Sequence, residues 1–93
     1  MFTVFGFYKF QKINDLKKNQ KILSNLLTNK NINGSIIISK EGLNGSISGM
    51  NKDIKTTIIR LKKILNIKEF DSVNNSISKF KPFHKPKVKI KRE

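Results

Sequence analysis

An α+β sandwich, with two helices on one face of an antiparallel sheet, is the fold class that the sequence predicts. Three observations carry it. Short runs rich in β-branched and aromatic residues recur at Phe2–Phe10, Ile36–Ile38, Ser46–Ser48 and Lys87–Lys91. Two stretches, one after Asn14-Asp15 and one after Asn51, carry apolar residues at helical spacing. The order that results is β-α-β-β-α-β with one extra strand near the C-terminal end, and it buries one sheet face under the helices.

In the first strand, Phe2–Phe10, Phe5 and Phe7 share one face while Val4, Tyr8 and Phe10 share the other, with Gly6 between them. Apolar groups on both faces point to a central strand. The Phe5/Phe7 pair reads either as core or as a stacking platform for RNA bases. Asn14-Asp15 then offers an N-cap. Leu16, Ile22, Leu23, Leu26 and Leu27 cluster on one side of the helix, with Lys17, Lys18, Lys21 and Asn25 on the other. The helix stops between Asn29 and Asn33, where asparagines tolerate left-handed conformations.

The stretch Asn33–Gly49 reads as a central hairpin. Ile36-Ile37-Ile38 is a buried strand and Ser46-Ile47-Ser48 a second one. The turn between them is expected over Lys40-Glu41-Gly42-Leu43-Asn44-Gly45, because Asn-Gly accepts positive φ at low cost. Asn51 is placed to cap the second helix, with Asp53 in its first turn against the macrodipole. Ile54, Ile58, Leu61 and Leu65 form the apolar stripe, and Lys52, Lys55, Lys62 and Lys63 lie off it. Phe70–Ile77 is a weaker strand; Val73 and Ile77 fit one, while Asn74-Asn75-Ser76 argues for irregularity. Pro82 and Pro86 punctuate a basic segment before the alternating Lys87-Val88-Lys89-Ile90-Lys91, whose lysines discourage edge-to-edge pairing. No linker interrupts the chain, so residues 1–93 are expected to form a single domain. Asn-Gly-Ser-Ile occurs at Asn33 and at Asn44, which turn chemistry explains better than a repeat. This architecture is ferredoxin-like and acylphosphatase-like.

The absence of cysteine excludes a disulfide framework, a thiolate nucleophile and a cysteine-held metal within the chain. No apolar run approaches the ~20 residues of a membrane span. Met1-Phe2-Thr3-Val4 does not begin a signal peptide, so a cytoplasmic protein without membrane partner is the expectation. A net charge of +14 favours a polyanionic partner such as nucleic acid. Against this stands codon bias, since Lys, Asn and Ile share AT-rich codons. The basic residues Lys79, Lys81, Lys85, Lys87, Lys89, Lys91 and Arg92 concentrate near the C-terminal end, interleaved with Phe80, Phe83 and His84. They are candidates for contacting RNA phosphates without reading sequence; the bland alternative is a solvated edge strand.

Catalytic groups are not recognisable. Glu69 and Asp71 share a strand parity and could converge on a metal, but a solvated strand end explains them better, and no metal is expected. His84 is the sole histidine and has no neighbouring acid. Acylphosphatases of this fold hold the acyl phosphate in a Gly- and Arg-containing loop after the first strand. Here that loop, Lys9-Phe10-Gln11-Lys12-Ile13-Asn14, has neither residue, which argues against that activity. RNA-recognition motifs present aromatics on their first and third strands; Gly45-Ser46-Ile47-Ser48-Gly49 has none, so base stacking in that particular pattern is not supported.

An ordered set of residues nonetheless resembles a known family. It comprises Phe7-Tyr8-Lys9-Phe10, Gly34-Ser35-Ile36-Ile37-Ile38, Glu41-Gly42-Leu43-Asn44-Gly45-Ser46-Ile47-Ser48-Gly49, Pro82-Phe83, and Lys87-Val88-Lys89-Ile90-Lys91 with Glu93. Together they resemble the N-terminal domain of the rhodanese-related tRNA uridine hydroxylases, the TrhO (YceA) family, over essentially the whole chain. The resemblance implies oxygen-dependent hydroxylation of the tRNA wobble uridine to 5-hydroxyuridine. Molecular oxygen would be the co-substrate of the full-length enzyme, and tRNA and a rhodanese-like domain the partners. That domain carries the family's active-site cysteine; this chain has none, so it is expected to be a fragment or stand-alone remnant, inactive alone, with no cofactor and no catalytic residue of its own. Pro86 departs from the family pattern, in which a larger apolar residue precedes the strand. Within the hairpin block, Gly42, Gly45 and Gly49 permit close backbone approach and Asn44 positive φ. Glu41 either caps the turn by accepting backbone N–H bonds or faces the partner domain or substrate. The resemblance implies an accessory domain that binds tRNA and packs on the catalytic domain; the alternatives are a protein-interaction module and an acylphosphatase-like enzyme.

Overall fold

Alternation of apolar residues along the strands decides which sheet face the helices cover. The computed structural model describes residues 1–92; Glu93, part of the resemblance above, lies outside the described residues. The elements are β1 (Phe2–Phe10), α1 (Leu16–Asn29), β2 (Asn33–Ser39), β3 (Gly42–Gly49), α2 (Asn51–Leu65), β4 (Ser72–Ser78) and β5 (Pro86–Ile90). They form a five-stranded sheet in the order β4-β1-β3-β2-β5. The β-α-β-β-α-β order and the extra strand are as the sequence predicts. The sheet is mixed rather than antiparallel, because β5 runs parallel to β2. After β4 the chain crosses the end of the sheet and enters beside the start of β2, where the Gly34 N–H donates to the Lys85 carbonyl at 2.9 Å. Pro86 is the first residue of β5, a position where a missing N–H is tolerated.

Leu23, Leu26 and Leu27 of α1 and Ile54, Leu61 and Leu65 of α2 share one core with Phe5, Phe7, Ile36, Ile38, Leu43, Ile47 and Val88. Phe5 and Phe7 are core, stacked at 5.7 Å between ring centroids, which closes them to any ligand. Phe70 precedes β4 rather than opening it, and it seals this cluster at 5.1 Å from Phe7, with the Lys62 ammonium 5.1 Å over its ring. β4 is regular through Asn74-Asn75-Ser76. It is an edge strand paired with β1, and its side chains stay largely in solvent, so polar residues cost nothing there.

The hairpin differs from expectation. β2 and β3 pair from Asn33↔Ser48 to Ser39↔Gly42, which leaves only Lys40 and Glu41 as the turn. Asn44-Gly45 lies inside β3, opposite Ile37-Ile36 on one side and Tyr8-Phe7 on the other. Gly45 is there for packing: a Cβ would stand 2.7 Å from the tip of Phe7 and 2.8 Å from the Ser35 carbonyl oxygen. The left-handed non-glycine residues are Asp15, φ 50°, before α1, Asn31, φ 56°, two residues after α1, and Asn66, φ 54°, which caps the end of α2. The expected N-caps fail too. Asp15 holds the cap position of α1 at φ 50° without a side-chain cap bond. Met50 precedes α2, and Asn51, its first residue, instead accepts a hydrogen bond from the Thr3 hydroxyl at 3.3 Å.

Asp71 joins β1 to the start of β4. Its carboxylate accepts the Phe10 N–H at 2.7 Å and approaches the Lys9 ammonium at 3.4 Å, while its own N–H donates to the Tyr8 carbonyl at 2.8 Å. The Phe10 N–H, aided by Lys9, holds the Asp71 carboxyl below its ordinary value of 3.8. Its stabilising contribution is therefore present above that ordinary value and is lost as pH falls through the lower, folded-state value.

Two measurements test this packing. Gly45→Ala should destabilise the fold by about 1–3 kcal/mol in urea, the usual cost of overpacking, and Phe7→Leu should recover part of that loss in the double variant; additive losses would disprove the contact. In Asp71→Asn, the stability deficit relative to the parent should be constant at neutral pH and vanish on acidification well below 3.8. A deficit that persists in acid would show that the charge is not what matters.

Candidate nucleic-acid interface

None of the five strands contains an acidic residue. The sheet is thus neutral to basic, and where its cations lie depends on the fold. The contiguous basic segment of the sequence is spread over three places. Lys79, Lys81, His84 and Lys85 are exposed on the connection that crosses from β4 to β5. Lys81 reaches a small hollow with Phe2, Asn33 and Ser48 at that end of the sheet. Lys87 and Lys89 alternate with the buried Val88, so they project from the face of β5 opposite the helices. Lys91 and Arg92 lie at the far end of the sheet, in a hollow with Leu16, Lys17 and Lys40. Lys12 and Lys18 line an adjoining hollow with Lys17 and Lys40. Those last four lysines come from three separate segments, and no sequence pattern could have joined them to the C-terminal cluster.

The hairpin block is structural in an unexpected way. Glu41 is exposed, and among the described residues its carboxylate makes no hydrogen bond, so it does not cap the turn. Its backbone does the joining. The Gln11 N–H donates to the Glu41 carbonyl at 2.9 Å and the Ile13 N–H to the Lys40 carbonyl at 3.2 Å. The turn N–H of Glu41 donates to the Ser39 hydroxyl at 3.2 Å. Gly42 closes the turn and pairs with Phe10, and Gly49 pairs with Thr3. Asn44 is exposed.

The loop after β1 is correspondingly occupied. Besides those two N–H groups, the Gln11 amide donates to the Leu65 carbonyl at 2.8 Å, and Ile13 is buried in the core. This loop has no ring of open amides to cradle a phosphate. Among the described residues no group of three His, Asp or Glu side chains converges, and no helix is long and apolar enough to cross a membrane.

The aromatic residues that remain accessible on the sheet are Tyr8, 45% exposed, and Phe10, 66% exposed. Both project from the uncovered face, opposite in parity to the buried Phe5 and Phe7. At the other edge, exposed Val73 and Ile77 of β4 and Phe80 beyond it carry no charge, and a groove between β4 and α2 is lined by Phe5, Ile54, Ile58 and Ile77 with Lys55 at its side. The two edges of the sheet therefore differ in chemistry: β5 is basic, β4 uncharged.

The family described as UPF0176 acylphosphatase-like domain matches residues 2–93. The chain is 62% identical over its full length to a Pelagibacter ubique (strain HTCC1062) protein named tRNA uridine(34) hydroxylase, of which it covers 31%. It is 41% identical over 64 residues, 69% of the chain, to the Rickettsia bellii (strain RML369-C) protein of the same name, covering 26% of it. The chain thus spans less than a third of the length of these curated relatives. Among solved structures, the acylphosphatase from Bacillus subtilis superposes with a TM-score of 0.62 at 9% identity, over 99% of this chain and all of that one. Full-length HypF superposes with a TM-score of 0.65 at 17% identity, over 99% of this chain and 12% of HypF. At such identities these two likenesses establish the fold alone.

Proposed function

The chain belongs to the UPF0176 N-terminal, acylphosphatase-like domain family, and from that premise we propose that it is the accessory, tRNA-binding domain of an enzyme that hydroxylates uridine 34 of tRNA. The observation that carries this reading is the 62% identity, without truncation at either end of the chain, to a protein named for that reaction. The oxygen-dependent step belongs to the rest of such an enzyme, in the cytoplasm, on a further domain with the reactive cysteine that this chain does not contain. The contribution of these residues is binding and packing.

The two sheet edges divide those tasks. Lysine side chains along β5 and at both ends of the sheet suit phosphates, which they contact as point charges. The uncharged β4 edge and its groove with α2 suit the packing partner, a further domain on the same chain as in relatives about three times as long. An uncharged edge strand left open would invite aggregation, so a covering domain is the fitting occupant.

The test is a titration of intact tRNA with this chain over a salt series. Affinity should fall linearly with salt on logarithmic axes, and Lys87→Gln with Lys89→Gln should reduce the slope by about one for each lysine removed. Negligible affinity even at low salt would overturn the tRNA-binding role.

A further inference from the structure

We infer that the uncovered face of the sheet is a stacking platform for single-stranded RNA, on which Tyr8 and Phe10 take bases and Lys87 and Lys89 take phosphates. This deepens the tRNA reading and rests on it. The helix-covered face is closed, because Phe5 and Phe7 are 6% and 5% exposed. The opposite face is the one that offers rings. Tyr8 and Phe10 stand two residues apart on β1, about 7 Å along the strand, and both are accessible.

The surroundings of these rings suit RNA. Across the sheet, Tyr8 is level with Asn44, Ile37 and Lys89, and one step along, Gly6 is level with Ser46, Ser35 and Lys87. Beside β1, β3 offers the polar Asn44 and Ser46, able to donate and to accept hydrogen bonds at base edges, with Ile37 of β2 one strand further on. Asn44 is exposed. Three inter-strand steps place Lys89 about 14 Å from Tyr8, so base and phosphate contacts fall on neighbouring nucleotides of one strand. Stacking tolerates any base, and lysines read no sequence. Charge argues against a protein occupant. Docking a domain here would bury Lys87 and Lys89 on a sheet that offers no carboxylate to pair them, whereas the uncharged apolar surface lies at the β4 edge.

Tyr8 is the chain's only tyrosine and there is no tryptophan, so its ultraviolet emission reports this one ring. Short single-stranded oligouridine should quench Tyr8 saturably, with the same midpoint as binding measured by anisotropy of labelled RNA. A blunt RNA duplex should bind through charge without quenching. Tyr8→Leu and Phe10→Ala should each weaken oligouridine binding about five- to a hundredfold, whereas Tyr8→Phe, which keeps the ring, should restore it; thermal melts confirm that each variant folds. Oligouridine that binds without quenching, and as tightly to Tyr8→Leu, would overturn the platform and leave the tRNA reading standing. Failure of both tRNA and oligouridine to bind would overturn both. Concentration-dependent loss of Tyr8 emission without RNA would make this face a contact between copies of the chain, and would overturn the platform too.

Discussion

The Phe7 ring seats over Gly45, where a methyl group would already be too close at 2.7 Å. This contact locks β1 and β3 into one register. In that register Phe5 faces Ile47 and Phe7 faces Gly45, and Gly45 in turn lies opposite Ile36 of β2. A slip of one residue would turn every side chain of a strand to the other face. If β1 slipped, Phe5 and Phe7 would lose the helices, and Tyr8 and Phe10 would be driven under them. The outward display of Tyr8 and Phe10 is thus the counterpart of the inward packing of Phe5 and Phe7.

Much of this fold was legible in the sequence because it depends on period. Two-residue alternation marked β1, β3 and β5, a β-branched run marked β2, and helical spacing marked both helices. Signals of local chemistry misled where tertiary contacts overrode them. Asn44-Gly45 has the chemistry of a hairpin turn, yet Gly45 is required by Phe7 and Ser35, neither adjacent in sequence. The turn falls on Lys40-Glu41, which carries no such signature. Asn51 has the chemistry of a cap but is drawn to Thr3 on β1. Asn74-Asn75-Ser76 reads as irregular, but an exposed edge strand takes its order from backbone pairing with β1. The parallel course of β5 depends on the path of the crossing connection, which no local pattern encodes.

The candidate interface was legible only as charge. Alternation correctly set Lys87 and Lys89 apart from Val88, since a lysine face and a core face are the two sides of one strand. The hollow that brings Lys17, Lys40, Lys91 and Arg92 together is a product of topology, joining the start of α1, the β2–β3 turn and the end of β5. Codon bias can supply lysines to such a chain. It does not account for their segregation: β5 and its flanks are basic, β4 has no charged residue, and no strand has an acid.

The loop after β1 is spent on a joint within the fold. To hold a phosphate, such a loop would need backbone amides left open. Here the Gln11 and Ile13 amides are committed to the carbonyls of Glu41 and Lys40, and the Gln11 side chain to that of Leu65. The most recognisable stretch of the chain, beginning at Glu41, thus begins at a structural joint, and the joint consumes the donors that phosphate chemistry would need. The groups this sheet leaves exposed are instead side chains: lysines on β5 and at both ends of the sheet, and the Tyr8 and Phe10 rings that β1 turns outward.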